Sequence, residues 1–586
     1  MGEDATISQM PAEILTRILG HVCDEDVIFQ YGLPTVMAEA AWFKNALDEW
    51  ALRSPQEAIN TVQRRSYADK KAIMLTCKTW CRLGSEFLYR CLFFDNPFRL
   101  IRLCENLESD AKTREDNSNP GVGLGWWTRR LHLNRYYASP NRGISQDEMS
   151  NALTTIIKHC PNLSIFIVEW PMPSPTFGLV VDTLSQYTHK ALHTVHWNVP
   201  AECISKVIWA LDSLPLVLAA HIEFAQPTPT TDYHESLHLG SAQDITLDLP
   251  YLQQLTLRGS FAEFLEQAMG WHLPGLRNLS LDSGNIRTDT PDIIGFLEIV
   301  GKNLNVLDIN AIPALDVPEI LELCPKLEVF SFNADWRLQS PALPSILVTG
   351  DDNEEEEEEL SPQQRRQKQH NETHILTHTP HPRIHTIGLH GLLYAFGVGF
   401  SQKYASEEPL KSRVIRRSND LNFAALNRAQ FPHLHRIRVL SRTLLNDLNK
   451  ANGPSQEDGV DGMDRWERWW NACTDMGMRL EDATGGELGE LPEDDGEDTD
   501  EDDDENDQYS SEGYSDEDEW EVDVPSVDGN DEAPHVLELR QLIRECQAMA
   551  EDREESPFTD FIGPALYTAP PTPESSAAPP NAEEKI

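Results

Sequence analysis

Pro250-Tyr-Leu252-Gln-Gln-Leu255-Thr-Leu257 and Pro274-Gly-Leu276-Arg-Asn-Leu279-Ser-Leu281 are two copies of one phrase. Apolar residues hold its first, fourth and sixth places, and Pro often introduces it. Nine copies can be read along the chain. Pro161 to Val168, Lys302 to Ile309, Pro325 to Phe332, Pro382 to Leu389 and Pro432 to Val439 are clear, while Thr128 to Leu133 and Leu192 to Trp197 are shorter. The last two apolar places lie two residues apart, so they share one face of a strand and their neighbours face the other way. One such strand cannot bury its apolar face alone, whereas a stack of them makes a continuous core.

Helix signals stand between the strands. Ser145-x-x-Glu148 spells a capping box before Met149, Leu153, Ile156 and Ile157. Ser260-x-x-Glu263 does the same before Phe264, Leu265 and Ala268, with Gly270 as the stop. Thr290-Pro291 opens a helix that ends at Gly301. The fold class is therefore α/β. The spacing and its recurrence resemble an irregular leucine-rich-repeat array over 120–336, resumed over 381–482 after a polar, Glu-rich loop at 337–380. The resemblance implies a curved solenoid whose strands line one exposed face. On the strand alternation, that face presents Arg130, His132, His196, Arg258, Asp282, Asp308, Asn310, Asn333, Arg436 and Arg438 to a partner, with Thr194, Gln254, Thr256, Asn278, Ser280 and Ser331 among their neighbours.

Composition narrows the function classes. With 586 residues, 40% hydrophobic and 25% charged, the chain has room for several domains and a large core. The formal charge of -48 is concentrated: residues 481–533 hold 26 acidic residues and no Lys or Arg, and Asp351 to Glu359 hold 8. The remainder is mildly acidic, which argues against a nucleic-acid surface. The ten cysteines show no paired spacing, and Cys77, Cys160 and Cys324 stand at apolar places, which fits buried free thiols in a reducing cytoplasmic or nuclear setting. No membrane-spanning run is legible.

At the N-terminus, Ile14, Leu15, Ile18, Leu19 and Val22 form one apolar helix face behind Pro11 and Glu13. Lys71 to Leu83 reads as a second helix, followed by Glu86 to Phe94. Met10-Pro11-Ala-Glu13-Ile14-Leu15, then Leu75-Thr-Cys77-Lys78-Thr-Trp80, then Leu88-Tyr89-Arg90 resemble the F-box, here in a module over 8–100 with an insertion at about 24–70. Thr35 to Trp50 within that insertion reads as helical. The resemblance, strengthened by the repeats that follow, is to fungal-type substrate receptors of Skp–cullin–F-box ubiquitin ligases. It implies a three-helix module that binds the Skp adaptor through Met10, Pro11, Ile14, Leu15, Ile18, Leu75, Cys77 and Trp80, while the repeats bind a protein substrate. The alternative is a repeat scaffold without a ligase role.

Other spellings suggest chemistry less well. His234-Glu235-Ser-Leu-His238 matches a zinc-protease pattern, but Pro227, Pro229 and Gly240 leave barely two helical turns, so a loop is expected. Pro380 and Pro382 interrupt the series His370, His374, His378, His381 and His385. Neither reads as a metal site, and neither a cofactor nor a catalytic group is expected. Residues 483–533 are too charged and too poor in apolar groups to fold, and offer a surface for basic proteins. An amphipathic helix over 534–553 and a Pro-rich end at 554–586 follow. Thr499, Ser515 and Thr572 have the sequence surroundings of phosphorylation sites.

Overall fold

The apolar second and fourth residues of each short strand decide the architecture, because they can be covered only by elements stacked on one side. In a computed structural model these strands form a 12-stranded sheet in strictly sequential order. The structure describes residues 11–487 apart from internal segments, the longest being 226–241, 336–375, 397–408 and 446–460. Its described residues all belong to the compact unit Met1–Asp531, and the second unit, Glu532–Ile586, lies outside them.

The sheet runs through β3 (Cys91–Phe94), β4 (Arg130–Leu133), β5 (Ile165–Pro171), β6 (Thr194–Pro200), β7 (Ala219–Ala225) and β8 (Gln254–Gly259). It continues through β9 (Asn278–Gly284), β10 (Val306–Ala311), β11 (Val329–Asn333), β12 (Thr386–His390), β13 (Arg436–Val439) and β14 (Arg479–Glu481). All neighbours pair in parallel. Parallel neighbours require a crossover, and most crossovers here contain a helix, such as Gln146–His159, Ser174–Tyr187 and Ile293–Val300. Leu255, Leu257, Leu279, Leu281, Leu307 and Ile309 meet Phe264, Leu265, Phe296 and Leu297 of these helices in one core that extends from Leu92 to Leu480.

The Ser145 capping box forms, with its hydroxyl accepting from Glu148 N–H and the Glu148 carboxylate accepting from Ser145 N–H. The expected box at Ser260 does not: the helix Ala262–Ala268 is preceded by Phe261 with no side-chain cap. Gly259 holds φ +82, and a Cβ there would stand 2.0 Å from Phe224 O, so this tight exit from β8 admits only glycine.

The N-terminal part departs further from expectation. Helix α1 spans Ala12–Val22, α2 spans Pro55–Thr76 and α3 spans Lys78–Arg90. The expected helix Lys71–Leu83 is broken at Cys77, whose extended backbone places its sulfur 3.5 Å from Trp80 N–H as the cap of α3. Cys77 and Cys81 are exposed, whereas Cys160 and Cys324 are buried thiols as the apolar pattern implied. The described residues of Thr35 to Trp50 are not helical. They hold turns and β1 (Ala41–Lys44), which pairs antiparallel with β2 (Trp50–Arg53). Residues after Arg90 enter the sheet directly as β3, so the array begins well before residue 120.

His381 and His385 belong to the packed structure: His381 is buried against the Cys324 carbonyl at 3.1 Å, and the His385 ring stacks on His435. Met10, His234, Glu235, His238, His370, His374, Thr499, Ser515 and Thr572 lie outside the described residues, as do the acidic run Asp351 to Glu359 and residues 534–586. Among the described residues, no helix is long and apolar enough to cross a membrane.

The acidic tail was expected to start at 483, yet Ala483 is 6% exposed and its carbonyl accepts from Ala40 N–H at 3.0 Å. Deleting residues 488–533 should therefore leave the cooperative melt unchanged and reduce salt-sensitive binding to basic proteins. Extending the deletion back to 483 orphans the buried Ala40 amide and is expected to remove about 1–3 kcal/mol, read from denaturant unfolding.

Candidate functional site

The strand face opposite the core carries side chains in lateral rows, because parallel register sets equivalent residues of successive strands beside one another. One row holds Arg130, Ile165, Thr194, Ala219, Gln254, Asn278 and Val306. Two residues further along the strands lie His132, Ile167, His196, His221, Thr256, Ser280, Asp308 and Ser331, and beyond them Gly388, Arg438 and Glu481. Asn198, Glu223, Arg258, Asp282 and Asn310 begin a third row.

Residues 28–40 run across this face as a strap. The strap forms no ladder with the sheet, so side chains of the rows satisfy its backbone. Arg130 Nη1 donates to Ile28 O at 2.8 Å, and Thr194 Oγ1 donates to Tyr31 O at 2.6 Å. The Gln254 amide copies a strand partner, accepting from Leu33 N–H at 3.0 Å and donating to Leu33 O at 3.1 Å. Arg438 donates through Nη1 to Met37 O at 2.7 Å and through Nη2 to Glu39 at 2.9 Å. The same guanidinium holds Glu481 Oε2 at 2.7 and 3.0 Å, an ion pair with only 2% and 3% of its side chains exposed. Apolar contacts help: Leu33 packs on Ile165 and Ile167, and Tyr31 stacks on His193.

The strap changes which residues are available. Arg130, His132, Asp308, Asn333 and Arg438 were expected on an exposed face and are buried instead. Thr194, Gln254 and Ser331 are buried with them, while Thr256, Asn278 and Ser280 keep partial exposure. Arg130, Thr194, Gln254 and Arg438 are consumed by the strap, and others by one another. His132 Nε2 lies 3.0 Å from Glu169, Asn333 donates to Asn310 at 3.0 Å, and Asp308 meets Ser280 at 2.7 Å and His390 at 2.6 Å. In that last trio the carboxylate stands between hydroxyl and imidazole, so the arrangement braces three strands and does not activate a nucleophile. His196, Arg258, Asp282, Asn310 and Arg436 keep partial exposure. Arg258 and Asp282 lie 3.5 Å apart.

Between strap and rows lies a cavity of about 370 Å³. Leu33, Pro34, Val36 and Ala38 wall one side, and His196, His221, Arg258, Asp282, Asp308 and His390 line the other. This is the candidate site: polar on the sheet side, apolar on the strap side, and large enough for a small ligand or a few side chains of a partner.

Sequence reasoning missed His221 and Glu223 because β7 was not recognised. Its signal was present: Val217, Ala220 and Ile222 keep the phrase's spacing behind Pro215, with Ala in the fourth place. Gln254 was placed on the correct face, but its partner was not legible.

The proposed adaptor residues separate into two sets. Ile14, Ile18 and Leu75 are 47%, 43% and 76% exposed, and Pro11 and Cys77 are exposed too. Trp80 is half-buried, and Leu15 at 4% is part of the interior.

No family model and no curated protein matches the chain. Among solved structures it has a likeness to one described as "Crystal structure of TLR13-ssRNA13 complex", at 11% identity and a TM-score of 0.21, covering 53% of this chain and 38% of that one. A likeness at that level carries no argument about fold or function.

Two outcomes test this account of the face. Arg438→Met removes the buried partner of Glu481, leaving it Arg436 at 3.3 Å and Arg479 at 3.7 Å, and takes the donor from Met37 O, so it should destabilise by about 1–3 kcal/mol. Gln254→Ala, which orphans both backbone groups of Leu33, should lose about 1–3 kcal/mol, and equilibrium unfolding measures both. Burial holds His132 below its ordinary value of 6.5 despite the opposing pull of Glu169, and burial lowers His381 as well. The unfolded chain then takes up protons first, so the stability is complete above about pH 6.5 and declines as pH falls below it. Melting temperatures between pH 7 and 5.5 should fall, and His132→Gln should flatten that slope.

Proposed function

We propose that the chain is the substrate-recognition subunit of a Skp–cullin–F-box ubiquitin ligase. Helices α1 to α3 hold the adaptor, and the strand–helix array, read as an irregular leucine-rich-repeat solenoid, holds the protein to be modified. The observation that carries the reading is the pattern of exposure on the N-terminal helices. Leu15, Leu19 and Phe87 face inward, and Ile14, Ile18 and Leu75 present apolar groups to water among the residues that the F-box resemblance assigns to the adaptor. Single exposed apolar residues need no explanation, but here two coincide with motif positions and the third, Ile18, lies one turn on from Ile14 on the same helix. In this reading the chain supplies no catalytic group. It brings a substrate within reach of a ubiquitin-charged enzyme, and the partly exposed His196, Arg258, Asp282, Asn310 and Arg436 supply polar contacts beside the strap.

The acidic run over 483–533 supports a second reading, a scaffold that binds basic proteins without a ligase role. Affinity purification separates the two, since adaptor and cullin accompany only the first.

Ile18→Asp and Leu75→Asp should leave the melt close to wild type, because both side chains already face water. Each removes about 1.5–3 kcal/mol of apolar burial from the complex and adds the cost of desolvating a carboxylate. A combined loss near 4 kcal/mol is roughly a thousandfold in adaptor affinity, enough to abolish pull-down. Leu15→Asp is unsuitable for this purpose, since it places a charge inside the helical module. Wild-type adaptor capture by both folded variants would refute the F-box reading.

A further inference from the structure

Strands β6 and β7 run in parallel register, with His196 directly opposite His221. Glu223 follows two residues later in β7, so all three side chains leave the same face. Strands about 4.8 Å apart and an i, i+2 step along one of them set three heads around a common point. The imidazole rings lie 4.0 Å apart between centroids at an interplanar angle of 26°. One ligand atom from each of the three residues lies within 4.8 Å of the other two, and all three residues are half-buried.

The geometry points to a binding site for a divalent transition-metal ion, zinc above all, held by His196, His221 and Glu223 at the rim of the inner-face cavity. Two neutral imidazoles and a carboxylate are a ligand set that suits zinc, and three protein ligands leave a tetrahedral ion one open position. Metal–ligand bonds of about 2.0–2.1 Å bring ligand atoms to about 3.3 Å from one another. A bound ion would draw the three ligand atoms to that separation from within 4.8 Å of one another. His196 and His221 both line the cavity, so a fourth donor, either water or a carboxylate or imidazole from a bound partner, can enter from there. Arg258 stands opposite Glu223 on β8, but Asp282 lies 3.5 Å from its guanidinium and offsets its charge. Among the described residues, no other group of three His, Cys, Asp or Glu side chains converges in this way. The proposal is independent of the ligase reading.

The test is calorimetric titration of the full-length chain, first stripped with a chelator and then titrated with zinc sulfate. Wild type should bind one equivalent at this site. His196→Ala and His221→Ala should weaken it at least a hundredfold, and the near-isosteric Glu223→Gln at least tenfold, with each variant melting like metal-free wild type. If an alanine variant fails to fold, Glu223→Gln alone decides. A combined His370→Ala, His374→Ala, His378→Ala variant removes the competing histidine tract and should leave this equivalent in place. The proposal is overturned if the stripped protein binds no zinc, if Glu223→Gln binds as wild type does, or if the equivalent disappears with the tract.

Discussion

A backbone that crosses a sheet face without joining the ladder must find its hydrogen bonds among side chains, and residues 28–40 do so. Arg130, Thr194, Gln254 and Arg438 each supply a bond at a different strand of the sheet. The strap therefore ties β4 near the start of the array to β13 and β14 at its end. It also turns a face that alternation alone assigns to solvent into an interior. Each buried polar residue in the rows follows from that crossing or from the neighbour it braces.

Magnitudes separate what makes the fold from what fixes the strap. Burial of one Leu, Ile or Phe is worth about 1.5–3 kcal/mol, and the core takes large apolar side chains from every strand of the sheet. A single neutral hydrogen bond nets about 0.5–1.5 kcal/mol, so the few strap contacts cannot decide the architecture. Leaving one of those groups unpaired costs more than forming the bond gains. The polar rows thus enforce register: a strap shifted by one residue would take the Leu33 N–H and C=O away from the Gln254 amide and Met37 O away from Arg438.

The strand signal was legible wherever the phrase kept Leu, Ile, Val or Phe at its fourth and sixth places. It weakened at β7, where Ala220 substitutes, and at β3, whose apolar residues read as the end of a helix. Thr35 to Trp50 misled because its alanines favour helix while its tertiary partners impose extended chain, and packing outweighs propensity. Nothing local marks the break at Cys77, since neither Pro nor Gly stands there. Alternation correctly assigned Arg130, Thr194, Gln254 and Arg438 to one face. It could not report that another part of the same chain covers them, because a contact between Arg438 and Met37 leaves no periodic trace.

The strap also bears on how a partner could be read. It occupies the first row at β4, β6 and β8 and moves to the next row at β11 and β13, so the partly exposed ground lies along Glu223, Arg258, Asp282 and Asn310. That ground alternates acid, base and amide within the span of a few strands. A surface of this kind discriminates more than it attracts, since a partner that mismatches one charge leaves it desolvated and unpaired. Affinity must then come from an anchor that the polar ladder itself lacks. The cavity beside His196 and His221, with its apolar strap wall, supplies the place where such an anchor can be buried.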